Sequence, residues 1–408
     1  MPEQHDTAPA IHQTFAHRAR AARDHAGLTR PVAGGLVGRS AEWVKGIETG
    51  AIGMPRLPML IRMATVYECD IADLTGDERI AAATYTKAIH AALPAVKKAL
   101  TSYQLAPTDT EPESAEVLAA RVRQAWKVWH GEGTHRTGIA ALLPDLLTDA
   151  QHSARALDGA DRRRALAVQA QVYHLTQLFL AFQPEPELIT MVGDRAMAAA
   201  QDADSPRAIA GAAWYMNHIY RDGNTAAEAR IDLAEQAGAL LRQDDPDTVA
   251  RRGLLHLATA LSHAKTGRNG LAWRSWDQAA KAAARLGEGY AHPWLIFGEG
   301  IVNAYAVTIH LSLVQPGKAV DAADALDLSG VPSATRRAGH LIEAARAHGM
   351  QSGGVAAVAL LGKAFRTSPE TVRYSTHARM VLPEYAKAGP RTVRDDAREL
   401  ALELGLSA

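Results

Sequence analysis

The chain has 408 residues, 47% of them hydrophobic and 5% aromatic, and its 44 Lys and Arg residues balance its 44 Asp and Glu residues. This balance excludes a protein that binds nucleic acid over its whole surface, so any DNA contact must be local. The single cysteine, Cys69, excludes an internal disulfide and a thiolate zinc cluster, which fits a reducing compartment. No apolar run approaches the roughly 18 residues that span a bilayer, and the N-terminus lacks a signal-peptide pattern. We therefore expect a cytoplasmic protein without membrane contact.

The N-terminal part of the chain has the pattern of a small helical domain. Residues 1–13 are polar and unpatterned, which predicts a loose tail. Five short helices are predicted within residues 14–76, over 15–26, 31–37, 40–48, 57–67 and 71–74. Pro31 stands at a helix start, where its missing N–H costs nothing, and Ser40 is a good N-cap for the third helix. Residues 14–76 thus have the size of a helix-turn-helix domain.

Residues 77–134 are predicted to form a helical connector. One helical stretch covers residues 79–103, and a loop rich in Pro, Thr, Asp and Glu follows at residues 107–112. Loops of this composition commonly join domains.

Residues 135–408 consist of predicted helices whose breaks recur at roughly 40 residues, the period of a two-helix repeat. The first helix of each pair is placed near Asp161, Ser205, Pro246, Ala291, Ser333 and Pro369. The clearest pair covers residues 254–265 and 273–286, joined by a turn at 266–269. These pairs resemble degenerate tetratricopeptide (TPR) repeats. The chain is therefore predicted to be all-α, with an N-terminal five-helix domain followed by a TPR-like α-solenoid.

Residues 27–50 carry the most informative motif. Its elements are Leu28 and Thr29 at the second helix, Val37 and Gly38 at the turn, Ser40 before the third helix, and Val44, Ile47, Glu48 and Gly50 at its close. The motif resembles the helix-turn-helix of phage-repressor-like, or XRE-family, transcriptional regulators of actinobacterial type. Gly38 supplies the freedom for a sharp turn, while Val44 and Ile47 put one apolar stripe against the preceding helices. The opposite face of the third helix is then free to enter a DNA major groove.

The predicted DNA contacts follow from this arrangement. The free face of the third helix carries Arg39, Ser40, Glu42, Trp43 and Lys45. Arginine prefers guanine, glutamate accepts from the cytosine amine, and lysine neutralises phosphate. The resemblance adds backbone contacts by Thr29, Arg30 and Arg56. Trp43 can equally pack over the second helix.

The motif departs from the family pattern at four positions. Gly34 and Gly35 lie inside the second helix, where each costs roughly 1 kcal/mol relative to alanine. Ala41 and Gly46 stand where relatives often carry long polar side chains toward the bases. Eight basic against six acidic residues within 14–76 make the domain only slightly basic. A helix-turn-helix used for protein contact alone is the alternative.

The sequence offers no support for an enzyme, a cofactor or a metal site. None of the 17 histidines occurs in the His-x-x-x-His spacing with an adjacent Glu that a helical zinc site needs. The glycine pairs at 287–289 and 298–300 lack the preceding strand of a phosphate loop, and no Gly-x-Ser-x-Gly motif is present.

The groove of the array is the expected effector site. Aligning Gly223 with a turn between helices directs Asn217, Tyr220 and Arg221 inward, toward a small molecule or a peptide. Alternatively, these residues stabilise neighbouring hairpins. We predict a transcriptional regulator that binds double-stranded DNA as a homodimer, whose array dimerises and binds the effector. The alternative is a non-enzymatic scaffold or adaptor with a vestigial helix-turn-helix.

Overall fold

The computed structural model describes residues 8–67, 69, 71–76, 88–103, 109–131, 133–222 and 227–406, and for residues 8–14, 58 and 220–222 it describes the backbone alone. Every regular element in these ranges is helical, which confirms the all-α prediction. The N-terminal domain consists of α1 (Ala8–His25), α2 (Arg30–Val37), α3 (Ala41–Glu48), α4 (Leu57–Val66) and α5 (Ile71–Thr75). The five predicted helices are present. Helix α1 begins earlier than predicted and takes in part of the expected tail, because Pro9 is tolerated in a first turn.

The N-terminal helices pack around a core of their own. Phe15, Val37, Ile47, Met63 and Leu74 are among its fully buried side chains. The turn between α2 and α3 has the predicted chemistry: Gly38 adopts a left-handed φ of 73°, and the Ser40 Oγ accepts a hydrogen bond of 3.1 Å from the backbone N–H of Trp43. Gly38 and Ser40 thereby set the angle between α2 and α3.

The rest of the chain is a solenoid-like stack of helices. Its elements are α6 (Leu93–Thr101), α7 (Ala115–His130), α8 (His135–Ala156), α9 (Gly159–Leu180), α10 (Pro186–Asp202), α11 (Pro206–Asp222), α12 (Ala227–Leu240), α13 (Pro246–Lys265), α14 (Asn269–Leu286), α15 (Glu299–Ser312), α16 (Pro316–Asp324), α17 (Ala334–Met350), α18 (Gly354–Thr367), α19 (Pro369–Arg373), α20 (Thr376–Ala388) and α21 (Arg394–Glu403). Helix α6 packs on α8, consecutive helices pack on each other from α7 onward, and alternate helices from α7 to α17 also touch, forming an inner row.

The predicted connector is part of this stack. Leu93 and Val96 of α6 and Leu118 and Val122 of α7 lie in the same apolar core as α8 to α15. The helical stretch predicted over 79–103 is shorter where it is described, because Pro94 opens α6 and cannot lie in a helix interior. Residues 77–87 lie outside the described ranges. By packing, the array therefore begins at α6 rather than near residue 135.

Five of the six predicted repeat starts lie within two residues of observed helix starts, at α9, α11, α13, α17 and α19. The start placed near Ala291 falls in a loop, and α15 begins at Glu299. In this loop the His292 Nδ1 accepts hydrogen bonds from the backbone N–H groups of Trp294 and Leu295, and Pro293 offers no N–H. The start at Pro369 opens only the short α19. The resemblance to TPR repeats stays a prediction.

The two ends of the stack contact each other. The Glu370 carboxylate on α19 accepts hydrogen bonds from the backbone N–H groups of Arg136 (2.6 Å) and Thr137 (3.2 Å) in the first turn of α8. On α7, the His130 ring bonds the Ser333 hydroxyl just before α17 and the Trp294 carbonyl, each at 2.9 Å. The stack is thus curved far enough for α17 and α19 to contact α7 and α8.

The N-terminal domain docks on the array through α1 and α5. The buried Arg18 guanidinium donates to the Lys265 carbonyl at the end of α13 (2.5 Å) and to the Asp73 carbonyl on α5 (3.1 Å). The Asp73 carboxylate in turn pairs with Arg346 of α17. Burial, with the nearby Arg346 charge, lowers the pKa of Arg18 to about 10, which leaves it protonated at neutral pH. Arg18 therefore caps the C-terminus of α13 across the domain boundary.

None of the described helices combines the length and the apolar character that crossing a lipid bilayer requires.

Candidate nucleic-acid interface

The face of α3 that points away from the N-terminal core carries most of the predicted DNA contacts. Arg39, Glu42 and Lys45 are exposed, and the Arg39 guanidinium lies 5.7 Å from the ring centre of Trp43. Lys45 and Glu42 form an exposed ion pair of 3.7 Å. Such a pair contributes little to stability, so a phosphate can replace Glu42 as the partner of Lys45 at little cost.

Two of these predicted contacts, Ser40 and Trp43, also have structural roles, and two others, Thr29 and Arg56, do not. Ser40 is occupied as the N-cap of α3. Trp43 is half-buried and packs against the N-terminal core, which agrees with the second of its two interpretations. Thr29 occupies the N-cap position of α2 without a side-chain cap, and Arg56 that of α4, with both side chains exposed. Thr29 and Arg56 therefore keep their polar groups toward solvent.

Arg30 belongs to a buried ion-pair network that the sequence analysis missed. The Glu48 carboxylate, with a side chain only 1% exposed, accepts from Arg23 of α1 and from the Arg30 Nε of α2 at 2.8 Å. Burial alone would raise the pKa of Glu48, but hydrogen bonds from Arg23 and Arg30 hold it below its usual value. The network ties α1, α2 and α3 together, so Arg30 positions α2 and presents only part of its side chain to a ligand.

Two of the eight basic residues of the N-terminal domain are not available to DNA. Arg18 and Arg23 are 4% and 6% exposed, and their guanidinium groups bond to other groups inside the protein. The sequence signal was present, because Arg18 follows Phe15 by three residues on the buried face of α1. The exposed positive charge therefore lies closer to the α2–α3 side than the composition of the domain implies.

Gly34, Gly35 and Gly46 differ in the space that surrounds them. A Cβ on Gly34 would lie 2.8 Å from the Arg39 carbonyl oxygen, so this residue is needed where α2 passes the turn. A Cβ on Gly35 would meet nothing within 4 Å. A Cβ on Gly46 would lie 2.6 Å from the Ile52 Cδ1. Alanine would therefore fit at Gly35 but not at Gly34, because the backbone atoms next to Gly34 cannot yield.

The predicted effector residues lie on α11. Asn217 is buried, its amide donates to the Arg230 carbonyl of α12 at 3.0 Å, and it lies close to Ser262 of α13. Its amide is thus engaged between helices. The side chains of Tyr220 and Arg221 lie outside the described residues, and their role stays a prediction. No cluster of three metal-ligating side chains occurs within the described part of the chain.

Comparison with known proteins agrees with the geometry of the N-terminal domain. Residues 14–75 match the family model described as a helix-turn-helix domain, and the matched range ends with α5. The curated proteins include no match to the chain. The chain therefore carries an N-terminal helix-turn-helix domain, the class of domain that places a helix in the DNA groove.

Proposed function

We propose that the protein is a sequence-specific DNA-binding transcriptional regulator in which α3 reads the major groove. The main support for the proposal is which side of the N-terminal domain faces the array. The array contacts the domain through α1 and α5, while Arg39 in the turn before α3 and Glu42 and Lys45 on α3 stay exposed. An exposed arginine and an exposed lysine, placed before and on a well-capped third helix, are the groups that contact with DNA requires.

The array is proposed to serve as the dimerisation and effector module. One helix-turn-helix domain buries too little surface for high specificity, so domains of this class act in pairs on half-sites about one DNA turn apart. Because Arg18 and Arg346 hold the domain against α13 and α17, a shift of these helices would move the recognition helix as well. A second chain and an effector would therefore act on DNA affinity through the docking contacts.

The test uses the full chain. A selection for bound sequences from random double-stranded DNA yields an operator, and binding to it is then measured at several salt concentrations. Arg39→Ala and Lys45→Ala should each weaken binding. A base contact costs about 1–3 kcal/mol at the operator only, and a phosphate contact weakens all sequences and lowers the salt slope by about one. Arg274→Ala, which removes an exposed arginine from α14, is the matched control and should change neither quantity.

Two results would contradict the proposal. If no sequence is enriched, the helix-turn-helix does not read DNA, and the scaffold interpretation is the better one. If an operator is found but the Arg39→Ala and Lys45→Ala variants both bind like the wild type, α3 is not the reading helix. A solution mass of a monomer with and without DNA would remove the dimer.

A further inference from the structure

A cavity of about 90 Å³ lies inside the array, between α9, α11 and the loop that precedes α15. Its lining consists of Ala167, Ala170, Gln171, His174, Ser205, Arg207, Ala208, Arg251 and Trp294. A buried water needs on the order of 10–15 Å³ by the same measure, so the space is large enough for a small organic molecule. The three alanines and the indole give it apolar walls, and on its polar part the Arg251 guanidinium donates to the Arg207 carbonyl.

A buried histidine in this lining lacks a partner. The His174 side chain is 1% exposed, and its Nδ1 has no hydrogen-bond partner among the described residues. Its ring is held between aromatic neighbours, 4.5 Å from the centroid of Tyr215 and 6.1 Å from that of Trp294. Burial and the Arg251 charge lower the pKa of His174 to about 3, so the ring is neutral. An unpaired buried polar atom is costly, and the ring that carries it borders the cavity.

The other polar groups of the cavity are mainly donors. The Arg251 guanidinium is fixed by the Asp247 carboxylate, the Arg207 carbonyl and the face of Trp294, yet a guanidinium has five N–H groups and these contacts use three. Arg207 is half exposed and pairs with Asp245 and Asp247 from outside. The lining contains no Asp or Glu. A ligand rich in acceptors therefore fits these walls better than a cation.

We propose that this cavity binds a small organic carboxylate, whose oxygens face Arg207 and Arg251 and whose apolar body lies against Trp294 and the alanines. The site differs from the one expected around Asn217. The inference deepens the proposed regulatory function and rests on it for its biological use. Helix α13 carries Arg251 at the cavity and ends at the Lys265 carbonyl that Arg18 caps, so one rigid element joins the ligand to the DNA-binding domain.

The experiment measures binding to the full chain by titration calorimetry, without DNA. Benzoate is the probe, benzamide its uncharged isostere, and inorganic phosphate an oxyanion without an apolar body. Benzoate should bind saturably at one site per chain, with benzamide and phosphate at least about tenfold weaker. Equal binding of benzamide would overturn the role of the arginines, and equal binding of phosphate would overturn the apolar part of the site. No benzoate binding would overturn the proposal as a whole.

Variants locate the site. Ala208→Met fills the cavity and should abolish binding, whereas the same change at the exposed Ala229 of α12 should not. Arg207→Gln should weaken benzoate at least about tenfold, with the exposed Arg242→Gln as its control. Undiminished binding by Ala208→Met would place the ligand elsewhere. DNA is absent from these measurements. A negative result would therefore overturn the carboxylate site without deciding whether the protein binds an operator.

Discussion

The adjacent glycines of α2 provide a matched pair for which the structure predicts opposite signs. Gly35 is exposed on a regular helix and its added Cβ meets nothing within 4 Å. Gly35→Ala should therefore stabilise the N-terminal domain by about 0.4–1 kcal/mol, since it restricts the unfolded chain. At Gly34 the same Cβ would lie 2.8 Å from the Arg39 oxygen and 2.9 Å from the Ser40 carbonyl carbon. Relief of this overlap needs backbone movement, which costs about 1–3 kcal/mol.

The displacement at Gly34 has a functional side. Arg39 and Ser40 form the turn that leads into α3, so moving their backbone tilts the recognition helix. Gly34→Ala should lower DNA affinity as well as stability, whereas Gly35→Ala should leave affinity unchanged. The assay combines hydrogen exchange of the amides in α2 and α3, measured on the full chain, with operator binding.

Two outcomes would refute this reasoning. If Gly34→Ala is as stable as the wild type and binds the operator normally, the close approach of α2 to the turn is wrong. If Gly35→Ala accelerates exchange, the outer face of α2 is in contact with another surface, such as a second chain.

Two further predictions concern the docking of the N-terminal domain on the array and one buried histidine, His340. Arg18→Met removes charged hydrogen bonds to the Lys265 and Asp73 carbonyls and should weaken the docking of the N-terminal domain by about 1.5–3 kcal/mol. The measurement is hydrogen exchange, which should become faster for the amides of α1 and of the end of α13. The control is Arg20→Met, which changes an exposed arginine and should have no such effect. Burial, with a minor contribution from a nearby arginine, lowers the pKa of His340 from 6.5 to about 3, so the stability that its neutral ring contributes is complete above pH 6.5 and is lost as the pH falls below that value. His340→Phe should therefore reduce the loss of unfolding free energy between about pH 7.5 and 5.5 by about 1 kcal/mol, and an unchanged pH dependence would contradict it.

The sequence predicted the fold class and the local structure of the N-terminal domain well. Ser40, Gly38 and Pro31 act through the backbone within a few residues, and such signals are readable without tertiary knowledge. The same holds for the α13–α14 pair, with its turn at Gly267 in the left-handed region. Periodicity placed five of the six predicted repeat starts because the breaks between helices recur.

What the sequence left open depends on contacts between distant residues. Arg18 and Arg23 are ordinary basic residues by composition, and only tertiary structure assigns them to Lys265 and Glu48. The loop after α14 breaks the repeat because His292 folds it back on itself. The ring contacts of His174 with Tyr215 and Trp294, from three separate elements, have no local signature. The cavity they border was therefore outside the reach of a pattern-based prediction.

The bond between Glu370 and the first turn of α8 has a consequence for how the array unfolds. In an open solenoid each repeat contacts only its neighbours, so the ends fray first and repeats can be added or removed with additive cost. Here the Arg136 amide bonds a carboxylate 234 residues away, so α8 and α19 hold each other, and only α20 and α21 lie beyond this contact on the C-terminal side. Removing the last helices should loosen α7 and α8 before it affects the helices in between. The curvature of the stack then fixes the number of helix pairs. With one pair more or one pair fewer, Glu370 would no longer lie next to the Arg136 amide.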